Sequence, residues 1–303
     1  MTTHINLNQL FEEVDKQLIA AGVPISYRHM KALSEISKRF NGVVLPISPN
    51  SLLPNNKLGN QLCHYLHLWY NQKYGENQNQ SCELGSFYMK IQGDLWKYKI
   101  PLFYGQCNFF ICKDLTDKGM NNEANILCMS KKMTQAYVNN LSENDLSLIA
   151  TSFLNAVNVF QTIDLWSSQN LKMLNAAIAD LRNIYVQLDS DFPHYGQAKW
   201  SYLQCAEKII KSWLLESGIS ETDLKKKYSH NIKKLSNAFN ELYVQQISVK
   251  DILHIECTTD ARYEDDNDIY GQDDSINAQN WLFELILSIG YLPQLKDNPL
   301  VKI

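Results

Sequence analysis

The stretch Trp200–Tyr243, WSYLQCAEKIIKSWLLESGISETDLKKKYSHNIKKLSNAFNELY, decides how the second half of this chain folds. In its first part Leu203, Ala206, Ile210 and Trp213 or Leu214 recur at three- and four-residue steps, the spacing that gathers side chains on one face of a helix. Gly218 then stops the helix, because glycine adopts the left-handed C′ conformation at little cost. In the second part Ile232, Leu235, Phe239 and Leu242 repeat the pattern. Lys225, Lys226, Lys227, Tyr228, Ser229 and His230 lie between the two, so two apolar stripes would leave one cationic, histidine-bearing corner.

More of the same rhythm surrounds this pair. Upstream, Leu171, Leu174, Ile178, Leu181, Tyr185 and Leu188 form a long stripe, and Ile276 to Gly290 reads as a last helix. Ser248 to about Cys257 reads as a short helix. Long helices with short connections fold most simply as an up-and-down bundle, expected over residues 166–303.

The first half reads differently. Leu7, Leu10, Phe11, Val14, Leu18 and Ile19 give a helix ended by Gly22 and Pro24; further helices are expected at Tyr27–Phe40 and Asn60–Tyr74, and Gly75–Gly85 as a polar loop. From Ser86 to Cys112 aromatic and β-branched residues are broken by Gly93-Asp94, Pro101 and Gly105, the signals of strands and turns. With a further strand at Ala124–Met129, a small antiparallel sheet of three or four strands is expected, followed by a helix from Ser130 to about Asn139. Ser142 and Asp145 make a capping box for a helix running to about Phe160 or Leu165. The fold class is therefore α+β, with an α+β domain over 1–165 and an all-α bundle after it.

Composition narrows the functions. Hydrophobic residues are 45% of the 303 and charged residues 20%, enough for a real core. A net charge of −4 gives no overall attraction to nucleic acid, so such binding needs a local basic patch. Seven scattered cysteines without a CxxC pair point to reduced thiols and a cytoplasmic protein. The acidic, amphipathic N-terminus lacks the features of a signal peptide, and no run of 18 apolar residues suggests a membrane span.

Three short motifs, QCAEKIIKSWLLESG (Gln204–Gly218), SHNIKKL (Ser229–Leu235) and ARYED (Ala261–Asp265), with the tail helix AQNWLFELILSIG, resemble the HEPN domain over roughly residues 167–292. The resemblance implies a helical bundle that usually dimerises and has an RNA- or nucleotide-related role. Many members are metal-independent endoribonucleases in toxin–antitoxin, phage-defence and CRISPR systems; others are non-catalytic partners of a minimal nucleotidyltransferase, or bind nucleotides. Nuclease members share an arginine followed, after four to six residues, by a histidine. None of Arg28, Arg39, Arg182 and Arg262 has that histidine, and Lys225-x4-His230 is the nearest match. The tyrosine that nucleotidylation-silenced toxins carry two residues after the histidine is here Ile232.

The chemistry therefore falls on few residues. His230 is the catalytic candidate, a base for a 2′-hydroxyl. Lys225, Lys227, His230, Arg262 and Tyr263 are the candidates for contact with RNA or a nucleotide, although lysine lacks the planar fork that grips phosphate bidentately. Each also has a structural reading: His230 beside Ser229 as part of a helix cap, the lysines as a solvated face, and Arg262 as the partner of a carboxylate in its acidic loop. No metal ligand set and no cofactor is expected. Cys63-His64-x-x-His67 lacks a second ligand pair, and the Asp266-x-Asp268 run does not fit a calcium loop. Trp96, Tyr98, Phe103 and Tyr104 with Lys90, Lys97 and Lys99 could stack bases or simply pack a sheet. The expected partners are thus RNA or a nucleotide, a second copy of the chain and a nucleotidyltransferase-type protein. A catalytically silent interaction module and an active ribonuclease are the alternatives.

Overall fold

A computed structural model of the chain describes residues 6–75, 83–103, 105–120, 122–130, 132–263 and 269–296. Backbone contacts divide it into two compact units, Met1–Cys82 and Glu83–Ile303. The expected boundary near 165 is thereby corrected.

The first unit holds α1 (Leu7–Ala20), α2 (Ile25–Arg39) and α3 (Lys57–Tyr74). Asn6 caps α1 by accepting from the Gln9 amide, and Asn56 does the same for α3 through Gly59. Phe11, Val14, Leu33, Ile36, Leu62, Leu66 and Tyr70 fill the core between them. Asp15 is buried in that core. It accepts from the Tyr70 hydroxyl at 3.0 Å and the Tyr74 hydroxyl at 2.5 Å, and pairs with Lys73 at 3.0 Å. Burial would push its carboxyl up, but these donors win and hold it below the usual carboxylate range. Cys63 is buried with its thiol toward the Pro46 carbonyl, as its position on a packed helix suggests.

The second unit begins with the hairpin β1 (Glu83–Ile91) and β2 (Asp94–Pro101), joined at Gln92-Gly93, both with positive φ as a tight two-residue turn requires. A short parallel pair follows, β3 (Asn108–Phe110) with β4 (Glu123–Asn125). Among the described residues the strands thus form two two-stranded sheets, the first antiparallel and the second parallel, in place of the expected sheet of three or four strands. The expected strand at Ala124–Met129 turns into a 3₁₀ segment after Asn125, whose side chain spans the loop to the backbone of Cys112 and Asp117.

The helices are α4 (Gln135–Asn139), α5 (Glu143–Ser167), α6 (Leu174–Leu188), α7 (Tyr195–Glu216), the short α8 (Glu221–Asp223), α9 (Ile232–Leu242) and α10 (Gln272–Ile289). The chain is thus α+β with a helical C-terminal region. The capping box at Ser142 and Asp145 forms as read. Only a 3₁₀ turn at Ile252–His254 appears where a short helix was expected.

The hairpin belongs to this unit because its backbone is bonded into the helices. The Gln279 amide accepts from the Tyr88 N–H at 2.8 Å and donates to the Tyr88 carbonyl at 2.7 Å, and the Tyr185 hydroxyl accepts from the Ser86 N–H. Phe87 meets Phe153 of α5 edge to face. Pulling the sheet away would strand these polar groups and open the core. Among the described residues α5 is long and apolar enough to cross a membrane by length and composition. Its buried stripe, from Ile149 through Phe153 and Phe160 to Trp166, packs in the core of this unit.

Candidate functional site

Helix α7 is the spine of the site. It ends with Ser217 and Gly218, where the Ile219 amide reaches back to the Leu214 carbonyl. The connector that follows is compact. Ser220 caps α8, and Leu224–Tyr228 makes one π turn closed by the Ser229 amide on the Leu224 carbonyl at 3.0 Å. The turn buries Leu224, half-buries Tyr228 and leaves Lys225, Lys226 and Lys227 exposed. Ser229 then takes φ +49°, a costly conformation for a residue with a side chain, and π turns with such strain recur at functional sites.

The cap of α9 is Asn231, whose side chain accepts from the Lys234 amide at 2.8 Å. The capping role expected for Ser229 and His230 is thus filled one residue later, and the imidazole is released for another bond. Its Nδ1 lies 3.0 and 3.1 Å from the two carboxylate oxygens of Glu207 on α7. Glu207 is 5% exposed, whereas the His230 side chain is 74% exposed. Lys211, one turn along α7 and also buried, pairs with Glu207 at 2.5 Å. A buried carboxylate needs such donors, and they orient it. The outcome is an imidazole anchored through one nitrogen and open to solvent through the rest, the relationship by which a carboxylate sets a histidine's tautomer.

The surroundings are cationic. Residues 221–234 carry Lys225, Lys226, Lys227, Lys233 and Lys234 against Glu221 and Asp223. Lys227 is paired with Asp223 at 3.1 Å; Lys225 and Lys226 have no ion pair among the described residues. Lys233 and Lys234 stand in the first turn of α9, where the helix dipole disfavours cations and favours anions. Opposed to the dipole, they raise local positive potential at a cost in stability.

Arg262, at the end of the 3₁₀ turn Thr259–Arg262, packs against α7 at a second place. Its guanidinium carbon lies 5.0 Å from the ring centroids of both Trp200 and Tyr263, and Nη2 donates to the Tyr263 hydroxyl. Rings hold it; among the described residues it makes no ion pair, and the loop acids Glu264, Asp265, Asp266 and Asp268, on which the expected carboxylate pairing falls, lie outside them. Gly196 lets this segment sit close, since a Cβ there would be 2.7 Å from the Ala261 carbonyl. Trp200 and Glu207 are seven residues apart, so they share a face of α7 about 10 Å apart along its axis. The structure thus brings His230 and Arg262 to one helix face without contact between them.

Glu207 and Lys211 were not singled out in the sequence. The available signal was two charges four residues apart within an apolar stripe, a spacing that rarely buries charge unless it is paired. The other candidates resolve into packing. Tyr98 is buried, and the half-buried Trp96 donates to the Tyr137 hydroxyl and packs on that ring; Tyr104 lies outside the described residues. His67 packs edge to face on His29, and no cluster of three metal-ligating side chains occurs among the described residues; Cys82 lies outside them. No protein-family model, curated protein or solved structure matches the chain.

Proposed function

We propose that the protein binds single-stranded RNA or a nucleotide through phosphate contacts at the connector between α7 and α9. The observation that carries this reading is the exposed His230 held by buried Glu207 in a cluster of lysines. With Nδ1–H donated to Glu207, the other ring nitrogen accepts a proton when the ring is neutral and donates to a phosphate oxygen when it is protonated. Lys225 and Lys226 supply point charges, and Arg262 with Tyr263 supplies a stacking and hydrogen-bonding surface further along α7. The HEPN resemblance supports the same reading. It adds a homodimer, a nucleotidyltransferase-type partner and a toxin–antitoxin or phage-defence setting as parts of the proposal.

Cleavage is the second reading, and the Glu207–His230 pair favours it. A histidine held by a carboxylate can take the proton of a 2′-hydroxyl as that oxygen attacks the adjacent phosphorus. The leaving 5′-oxygen then takes a proton from a general acid or water, leaving a 2′,3′-cyclic phosphate. Against it, the cations nearest His230 in sequence are lysines, and Arg262 is engaged by Trp200 and Tyr263. The test is one titration and one incubation. Binding of a single-stranded oligoribonucleotide should weaken steeply with salt and drop at least tenfold in a Lys225→Gln/Lys226→Gln/His230→Ala variant. Incubation in EDTA then separates binding from cleavage: cyclic-phosphate ends that vanish in His230→Ala establish the nuclease. Absence of binding at low salt rejects both readings.

A further inference from the structure

The hairpin carries charge on the face turned away from α5. Along β2, Trp96 and Tyr98 alternate with Lys97 and Lys99, and Tyr88 of β1 stands opposite Lys97 in register. Lys97 and Lys99 overhang a cavity of about 410 Å³, which Ser130, Lys132 and Asp189 also line. Its volume falls within the range of small-molecule sites.

The charges in it are arranged at a cost. Lys97 and Lys99 are only 23% and 26% exposed, which removes much of their hydration. Lys97 is paired with Asp189 and lies 4.8 Å above the Tyr185 ring, and the Tyr88 hydroxyl donates to the same carboxylate at 2.9 Å. Burial and Asp189 push the Tyr88 phenol far above its usual range, so it remains a neutral donor. Two donors therefore converge on the exposed Asp189 carboxylate at the rim. Lys99 is held by Glu83 at 2.5 Å, and Lys132 is exposed with no ion pair among the described residues. Three ammonium groups face two carboxylates, and an oxyanion entering the cavity would restore the balance.

We propose that this cavity is a second phosphate site, taking a phosphate-bearing small molecule of about mononucleotide size, with its phosphate oxygens accepting from Lys97, Lys99 and Lys132. It shares no residue with the His230 cluster. Lysine serves as the point-charge ligand here, and the Ser130 hydroxyl is at hand for the remainder of the ligand.

The experiment is calorimetric titration of the full-length protein at low salt with pyrophosphate, AMP and adenosine. AMP and pyrophosphate should bind with an affinity that falls as salt rises, and adenosine should not bind detectably. Lys97→Gln/Lys99→Gln/Lys132→Gln should weaken AMP at least tenfold with its melting temperature and circular dichroism retained. Asp189→Asn should tighten AMP several-fold, because it removes a competing anion yet still accepts from Tyr88. Titrated in the Lys225→Gln/Lys226→Gln/His230→Ala background, which disables the connector, AMP should still bind, so that binding reports this cavity alone. Equal affinity for pyrophosphate and AMP supports the proposal with phosphate alone as the recognised part. The proposal is overturned by failure of both phosphate compounds to bind, by loss of AMP binding in the connector variant, or by an affinity unchanged when Lys97→Gln/Lys99→Gln/Lys132→Gln is added to that variant.

Discussion

Glu207→Gln tests the anchoring of the site in energetic terms. Glu207 and Lys211 are 5% and 9% exposed and lie 2.5 Å apart. Their gross attraction is about 7 kcal/mol at an effective dielectric of 20, and most of it is offset by the desolvation of both ions. Deleting one charge leaves the other buried and unpaired, so the net loss comes from the stranded Lys211 ammonium, about 3 kcal/mol. The assay is urea unfolding followed by circular dichroism. With an m value near 3 kcal/mol/M, the transition of the Glu83–Ile303 unit moves down by about 1 M. Replacing both partners, Glu207→Met/Lys211→Met, removes the stranded charge and should return stability to within about 1 kcal/mol of wild type. The double variant frees His230, so its RNA affinity should stay low while its fold is restored. A loss below about 0.5 kcal/mol in Glu207→Gln, or a double variant no more stable than the single one, refutes the buried-pair reasoning.

Three further outcomes follow from the structure. His29 is pushed down to about 4, first by burial and then by the neighbouring His67. Its neutral form is favoured on folding, so stability present above pH 6.5 is lost as pH falls toward 4. Allowing for the partial exposure of the ring, the loss between pH 7 and 5 is about 1 kcal/mol, read by amide exchange in the first unit, and His29→Phe should flatten the dependence. Gly85→Ala would set a Cβ 2.2 Å from the Phe160 ring, so thermal unfolding should show a loss of about 2 kcal/mol, partly recovered by Phe160→Leu. Gly196→Ala should unseat the Ala261 segment and lower RNA affinity to the level of Arg262→Ala; an unchanged affinity would exclude Arg262 from the binding surface.

Local patterns were the legible part. The stripes of α7 and α9, the stop at Gly218 and the Ser142–Asp145 cap depend on residues a few positions apart, and the structure has all of them. Long-range choices were not legible. The hairpin joins the helical unit because Gln279 bonds Tyr88 across 191 positions, and nothing in either neighbourhood announces that pairing. His230 was legible as a candidate, but its partner was not. The π turn and the positive φ of Ser229 set its direction, and the competing cap residue Asn231 freed it. Arg262 is legible as a charge in an acidic segment, whereas its stacking on Trp200, 62 positions away, is not.

The most direct measurement is the NMR signal of the His230 imidazole, assigned by comparison with His230→Ala, as a single-stranded oligoribonucleotide is added. Phosphate contact at the connector predicts that the ring resonances of His230 shift in proportion to bound RNA, and that Glu207→Gln weakens the effect. Saturable RNA binding that leaves those resonances unmoved would contradict the account.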